Sequence, residues 1–283
     1  MKCIQETSLK HAALKAGLRV WFENGRLQTE AIAPPPHAVE DSRADDSDFC
    51  LWVTDGSHRA DGRPILSVEQ MKRAAERYKL GKSRSGKTIF WMIDEVGWVH
   101  DGHIGNSWVS VMMKAREPKL LRDWHVEHCL FGLHLITPHL LSTKPYTLNS
   151  LPNSPHNSKL STLNSKLYPP HTTHGPTIAL VEKETSAVIL SEVFPEYIWM
   201  ATCTPMNFML DRLEPLKGCQ VKLFPSTDMT MSTYMWWQEM AEEARQKLHL
   251  DITVSSVLED STSEEQKRRK IDLVDFLFEG HTD

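Results

Sequence analysis

T-I-A-L-V-E-K-E-T-S-A-V-I-L (Thr177 to Leu190), Y-I-W-M-A-T (Tyr197 to Thr202) and Q-V-K-L-F-P-S-T-D (Gln220 to Asp228) decide the fold of this chain. The apolar runs Thr177 to Val181, Tyr197 to Ala201 and Gln220 to Phe224 are short, partly β-branched and separated by helical patterns. Such runs suit strands buried on both faces of a parallel sheet. A helix over Ser186 to Glu192, a second over Ser232 to Leu248 and a fourth strand near Asp251 extend the pattern, with right-handed crossovers. Glu182 and Asp228 each fall just past the carboxyl end of a strand, the edge where open α/β sheets bind ligands.

These motifs resemble the toprim domain of primases, type IA and II topoisomerases and some nucleases. They are most similar to toprim-like proteins of unknown function carried by bacterial mobile elements. There, V-E-x-E-K-T-A follows the first strand, W-x-A-T-G carries the second and L-F-P-D-x-D ends the third. The counterparts here are Val181 to Ala187, Trp199 to Cys203 and Leu223 to Asp228. Lys270, Asp272, Asp275 and Leu277 resemble the K-D-x-x-D-x-L ending of phage and plasmid primase toprim domains. F-W-M-I-D-E-V-G (Phe90 to Gly97) and H-C-L-F-G-L-H-L (His128 to Leu135) look like the same family's preceding region.

The resemblance implies a mechanism. Glu182 would be general acid or base at a phosphodiester oxygen, and Asp228, with Glu184, Asp272 or Asp275, would hold Mg²⁺ against the phosphate. The same acids also suit helix N-termini, where negative charge meets the helix dipole, so both roles stay open for Glu182 and Asp228. Four departures surround this site: Ser226 replaces the first Asp of D-x-D, Lys183 a small residue, Thr185 a Lys and Cys203 a Gly. A hydroxyl is a poor substitute for a carboxylate on a hard cation. The expectation is a nucleic-acid-associated protein of mobile-element type with weakened or lost Mg²⁺-dependent phosphoryl transfer. The alternative is an active primase-like or nuclease-type enzyme using Glu182 and Asp228.

The chain has 283 residues, a formal net charge of −5 and 40% apolar content, enough for real cores. No apolar run is long enough for a membrane span, the N-terminal residues lack a signal-peptide core, and five scattered cysteines suggest a reducing cytoplasm. Met71 to Arg122 holds eleven Lys or Arg against five Asp or Glu. Lys82, Arg84, Lys87, Lys114 and Arg116, interleaved with Tyr78, Phe90, Trp91, Trp98 and Trp108, are candidates for contacting DNA or RNA. The competing reading is a solvated basic face over core tryptophans.

The chain divides into an irregular N-terminal arm with one short helix (1–62), a small α+β domain (63–142), a low-complexity linker (143–176) and the toprim-like domain (177–283). The arm carries A-P-P-P-H-A-V-E-D-S-R-A-D-D-S-D and no C-x-x-C pair, which argues against a zinc ribbon. The α+β domain reads as a helix over Val68 to Leu80 followed by antiparallel hairpins turning near Glu95-Val96-Gly97 and Asp101-Gly102. The linker repeats N-S-K-L at Asn157 and Asn164. Gly81 to Thr88, G-K-S-R-S-G-K-T, satisfies the phosphate-loop pattern, a distant alternative as a nucleotide site. Its context is reversed, a helix before and a strand after. His125, His128, Cys129 and His134 form a weak metal-ligand pattern, more simply read as flanking a packed turn at Leu130-Phe131-Gly132. Met235, Trp236, Met240 and Ala244 read as the buried stripe of the long helix.

Overall fold

A computed structural model describes residues 18–23, 26–31, 37–56, 61–116, 126–137, 176–204 and 208–279. Residues 143–175 of the expected linker, His125, and residues 1–17, 24–25, 32–36 and 57–60 of the expected arm lie outside the described residues.

In chain order, β1 (Leu18–Glu23) and β2 (Arg26–Ala31) pair antiparallel, followed by α1 (His37–Ser42) and α2 (Asp48–Thr54). Next come α3 (Val68–Arg77), β3 (Gly81–Lys82), β4 (Thr88–Ile93), β5 (Val99–Ile104), β6 (Ser107–Trp108) and α4 (Val109–Arg116). A 3₁₀ turn at Leu133–Ile136 precedes the second half, which opens with β7 (Thr177–Val181), α5 (Glu184–Val193), β8 (Ile198–Ala201) and α6 (Leu210–Leu213). It ends with β9 (Gln220–Leu223), α7 (Ser232–Leu248), β10 (Asp251–Val254), α8 (Val257–Ser261), α9 (Glu264–Arg269) and α10 (Leu273–Phe278).

The α/β class is what the structure shows: a parallel sheet of order β10-β9-β7-β8 flanked by helices, and a separate antiparallel sheet of order β3-β4-β5-β6. The alternation of β7 explains the layering. Ala179 and Val181 face a core built with α5 and α3, while Ile178 and Leu180 face a second core built with α7. In α7 the buried side chains are Trp237, Ala241 and Ala244. Of the expected stripe, Ala244 is buried and Trp236 and Met240 pack half-buried against the same core, while Met235 is exposed. Trp237 takes the central buried position, and the small Ala241 one turn on lets the helix approach the sheet closely.

The two sheets meet through shared side chains. In β4, Phe90 joins the α3/α5 core, Met92 the α7 core, and Ile89, Trp91 and Ile93 a third cluster with Val99 and Ile104. Phe131 and Ala201 exchange backbone hydrogen bonds of 2.9 and 3.1 Å, so the turn after His128 docks on the β8 edge. Tyr78 stacks on Phe131 at 5.1 Å and donates its hydroxyl to the Trp199 carbonyl at 2.8 Å. Gly132 has φ +85 there, and a Cβ would stand 3.0 Å from the Trp199 oxygen, so only glycine fits this approach.

Several boundaries differ from the sequence reading. Residues 37–42 and 48–54 are helices within the expected irregular arm, and Phe49, Cys50 and Val53 share one face of α2 and bury it in the α3 core despite acidic neighbours. α3 ends at Arg77, with Lys79 at φ +52. The first hairpin turns at Glu95 to Gly97 as expected, but Asp101 and Gly102 lie inside β5, and the second turn falls at Gly105 and Asn106. α5 begins at Glu184, so Glu184 is inside the helix rather than ahead of it. No helix among the described residues is long and apolar enough to cross a membrane.

Candidate functional site at the carboxyl edge of the parallel sheet

The chain leaves β7 for β8 on one side and later returns to place β9 on the other. The carboxyl ends of β7 and β9 therefore flank the point where strand order reverses, the crevice such sheets use for ligands. Glu182 follows β7 and Ser226 to Asp228 follow β9. The Ser226 amide donates to Glu182 Oε1 at 3.3 Å. Burial, and further the charge of Asp272, raise the Glu182 carboxyl above its ordinary range against the pull of that hydrogen bond.

The C-terminal helix brings Asp272 near Glu182, with Asp275 beside Asp272. Asp272 is the N-cap of α10: its Oδ1 accepts from the amides of Val274 and Asp275, and Asp275 reciprocates on the Asp272 amide. Asp272 Oδ2 accepts from Ser186 Oγ at 2.8 Å and lies 2.9 Å from Lys183 Nζ, which is 3.7 Å from Asp275. Burial opposes charge on both Asp272 and Lys183, but their mutual attraction outweighs it, holding Asp272 low and Lys183 high. Asp275 is raised, by burial and by the Asp272 charge.

Asp228 and Glu184 do not join this cluster. Asp228 Oδ1 accepts from the Thr230 amide and hydroxyl and the Ser232 amide, and Oδ2 from Ser232 Oγ and the Thr233 amide, at 2.7 to 3.1 Å. Both oxygens are thus committed to the first turn of α7, and these bonds hold the carboxyl far below its usual range although burial pushes the other way. Glu184 turns toward the antiparallel sheet, where Oε1 meets His103 Nδ1 at 2.5 Å. That bond raises His103 against the effect of burial. Beside Glu184, burial and the carboxylate charge push the Cys203 thiol well above its ordinary value, so it is not a thiolate nucleophile.

Mg²⁺ asks for several free carboxylate oxygens. Here Lys183 is already paired with Asp272 and lies 3.7 Å from Asp275, Asp228 is saturated and Glu184 is paired. Among the described residues no three His, Cys, Asp or Glu side chains are arranged to hold a metal. The donor set as built does not fit the ion.

The other candidates separate. Lys82 is paired with Asp46 at 2.6 Å, while Arg84 and Lys87 are exposed on the β3–β4 turn. This turn joins antiparallel strands through a Gly86 to Ser83 hydrogen bond, so Gly81 to Thr88 lacks the strand-to-helix frame of a phosphate loop. Lys114 and Arg116 lie on α4, with side chains outside the described residues. Tyr78, Phe90 and Trp91 are buried in the cores, which removes them from a base-stacking surface; Trp98 and Trp108 are half-buried. His128 Nε2 sits on Asp101 at 3.0 Å and His134 Nε2 on the Arg77 carbonyl at 3.1 Å, so these imidazoles do not converge on a metal.

Sequence reasoning treated Lys183 only as a departure from a motif and gave His103 no role. The signal for Lys183 is its position between two acids. His103 carries none, because its partner is 81 residues away.

No curated protein matches the chain. A solved structure, the primase fragment of bacteriophage T7 primase-helicase protein, is similar to it over 72% of this chain and 64% of that fragment, at 14% identity and a TM-score of 0.35. The chain thus spans less than two thirds of that fragment's length. A family model matches residues 63–147 and 157–227, more than half of the sequence, and so the chain belongs to the family described as Domain of unknown function (DUF6371).

Proposed function

We propose that this protein is a toprim-like, nucleic-acid-associated protein of mobile-element type, acting in the cytoplasm, whose carboxyl-edge site has lost most Mg²⁺-dependent phosphoryl transfer. One observation carries the reading: the Lys183 ammonium, 2.9 Å from Asp272, is an internal counterion for the carboxylates nearest Glu182. A single ammonium offsets part of the charge on these acids but lacks the divalent charge and the several coordination positions with which Mg²⁺ bridges carboxylates to a phosphate oxygen. Nucleic acid would then be held without being processed, with Arg84 and Lys87 on the exposed β3–β4 turn contacting phosphates.

The test is binding of labelled single-stranded DNA and RNA across a salt series, with strand cleavage and primer synthesis followed in parallel. Expected are salt-dependent binding without turnover, and a salt slope reduced by about one for each of Arg84→Ala and Lys87→Ala. Absence of binding at low salt contradicts the association.

A second reading rests on the raised Glu182 carboxyl. A carboxyl that keeps its proton nearer neutrality can deliver it to a leaving oxygen as a general acid. Turnover abolished by Glu182→Gln, with binding retained, would establish that reading over the first.

A further inference from the structure

The parallel sheet is covered unequally. On the face of Ala179 and Trp199, α5 lies over β7 and β8, while α7 covers β9 and β10 only from the opposite face. The strip bearing Lys222, Phe224 and Thr253 is left to the short helices α8 and α10. Between them is a cleft of about 550 Å³, within the ~300–1,000 Å³ common for small-molecule sites. Alternation along β9 explains it: Val221 and Leu223 are buried beneath α7, which turns Lys222 to the other side.

The walls of this cleft are aromatic and aliphatic: Tyr197, Trp199, Phe224 and Phe276 supply rings, valines and leucines of β10, α8 and α10 complete the apolar lining, and Lys222 is the one cationic side chain. Tyr197 and Phe224 both pack against Trp199, with ring centroids 5.7 and 5.4 Å away. Lys222 Nζ lies 5.4 Å from the Tyr197 ring centre and 3.4 Å from its hydroxyl. Among the described residues Lys222 makes no salt bridge; its ammonium rests beside the Tyr197 ring and hydroxyl without a carboxylate counterion. Thr253 and Ser255 contribute hydroxyls and Glu196 an exposed carboxylate at the rim. Flat rings beside a cation without an anionic partner complement a ligand that is planar and apolar in one part and anionic in another.

We infer that this cleft binds a nucleotide unit, with its base among Tyr197, Phe224 and Phe276 and its phosphate on Lys222. The ligand chemistry is shared by a free nucleoside monophosphate and by one residue of a single strand. The choice of probe rests on the proposed nucleic-acid association; the cleft itself does not.

The experiment titrates the full chain with adenosine 5′-monophosphate, with adenosine and with a short single-stranded oligonucleotide, reading amide shifts of Lys222, Phe224, Thr253 and Ser255 by NMR. Expected are saturable shifts at these amides with the monophosphate. Lys222→Gln should weaken the monophosphate about tenfold and adenosine little. Thr253→Phe places a ring in the cleft from an exposed strand position and should abolish both, without loosening the core. Oligonucleotide binding displaced by the monophosphate identifies the strand as the source, and monophosphate binding alone identifies the free nucleotide. No shifts at about 10 mM ligand, shifts confined to other residues, or equal loss for adenosine and the monophosphate in Lys222→Gln would each overturn the inference. Oligonucleotide binding unchanged in Thr253→Phe would leave the nucleic-acid association standing and remove the cleft from it.

Discussion

Lys183 Nζ stands 2.9 Å from Asp272 Oδ2, joining the residue after Glu182 at the end of β7 to the N-cap of the last helix. One ion pair therefore closes the carboxyl edge of the sheet and anchors α10. Lys183→Met should expose the repulsion among Glu182, Asp272 and Asp275. With the Lys183 side chain 52% exposed, the cost is about 1 kcal/mol, below that of a fully buried pair. Chemical denaturation checks this, and the loss should shrink at low pH, where the acids are protonated.

Asp228 behaves as a helix cap. Asp228→Ala should cost about 1–2 kcal/mol by stripping acceptors from the first turn of α7. Asp228→Asn should cost less, since one side-chain oxygen remains to accept. A metal-ligand role instead predicts that both variants lose cation binding and change stability little. Thermal unfolding and cation titration on the two proteins separate these outcomes.

Two histidines give opposite pH slopes. The His103 pKa is raised above its usual 6.5 by Glu184, so its contribution is complete below that value and is lost as pH rises through the folded pKa. His103→Gln should flatten that alkaline loss. His134 is lowered to about 4 by burial, so the unfolded chain takes up its proton first and stability falls from pH 6.5 toward 4, by about 3 kcal/mol. Urea titrations across pH 4 to 9 on wild type and His103→Gln test both signs.

Cys203 has φ +66, a left-handed conformation that glycine adopts freely and other residues adopt at a cost. Cys203→Gly should relieve the backbone and forfeit some packing, leaving stability within about 1 kcal/mol of wild type. Cys203→Val, β-branched at that φ, should lose about 2 kcal/mol or more. Melting temperatures of the two variants give the comparison.

The parallel sheet was legible in the sequence because each strand is a short apolar run bounded by a helical period, and the Ser232 to Leu248 helix was found to the residue for the same reason. α2 was not, because the acidic run before it conceals the three apolar residues that bury its face. The acids of the site were legible as types but not as partners. Asp272 reads as a metal ligand, whereas the structure makes it the N-cap of α10 paired with Lys183, 89 positions earlier. Glu184 reads as a second acid beside Glu182, yet helix geometry turns it toward His103 on the other sheet.

The most direct test of the central claim is calorimetric titration of Mg²⁺ and Mn²⁺ into wild type, Glu182→Gln, Lys183→Ala and Lys183→Ala combined with Glu182→Gln. With the ammonium as the resident counterion, wild type shows no saturable binding, Lys183→Ala acquires it, and the added Glu182→Gln removes it. Saturable binding by wild type that is lost in Glu182→Gln alone would contradict the account and point to a working metal-dependent site.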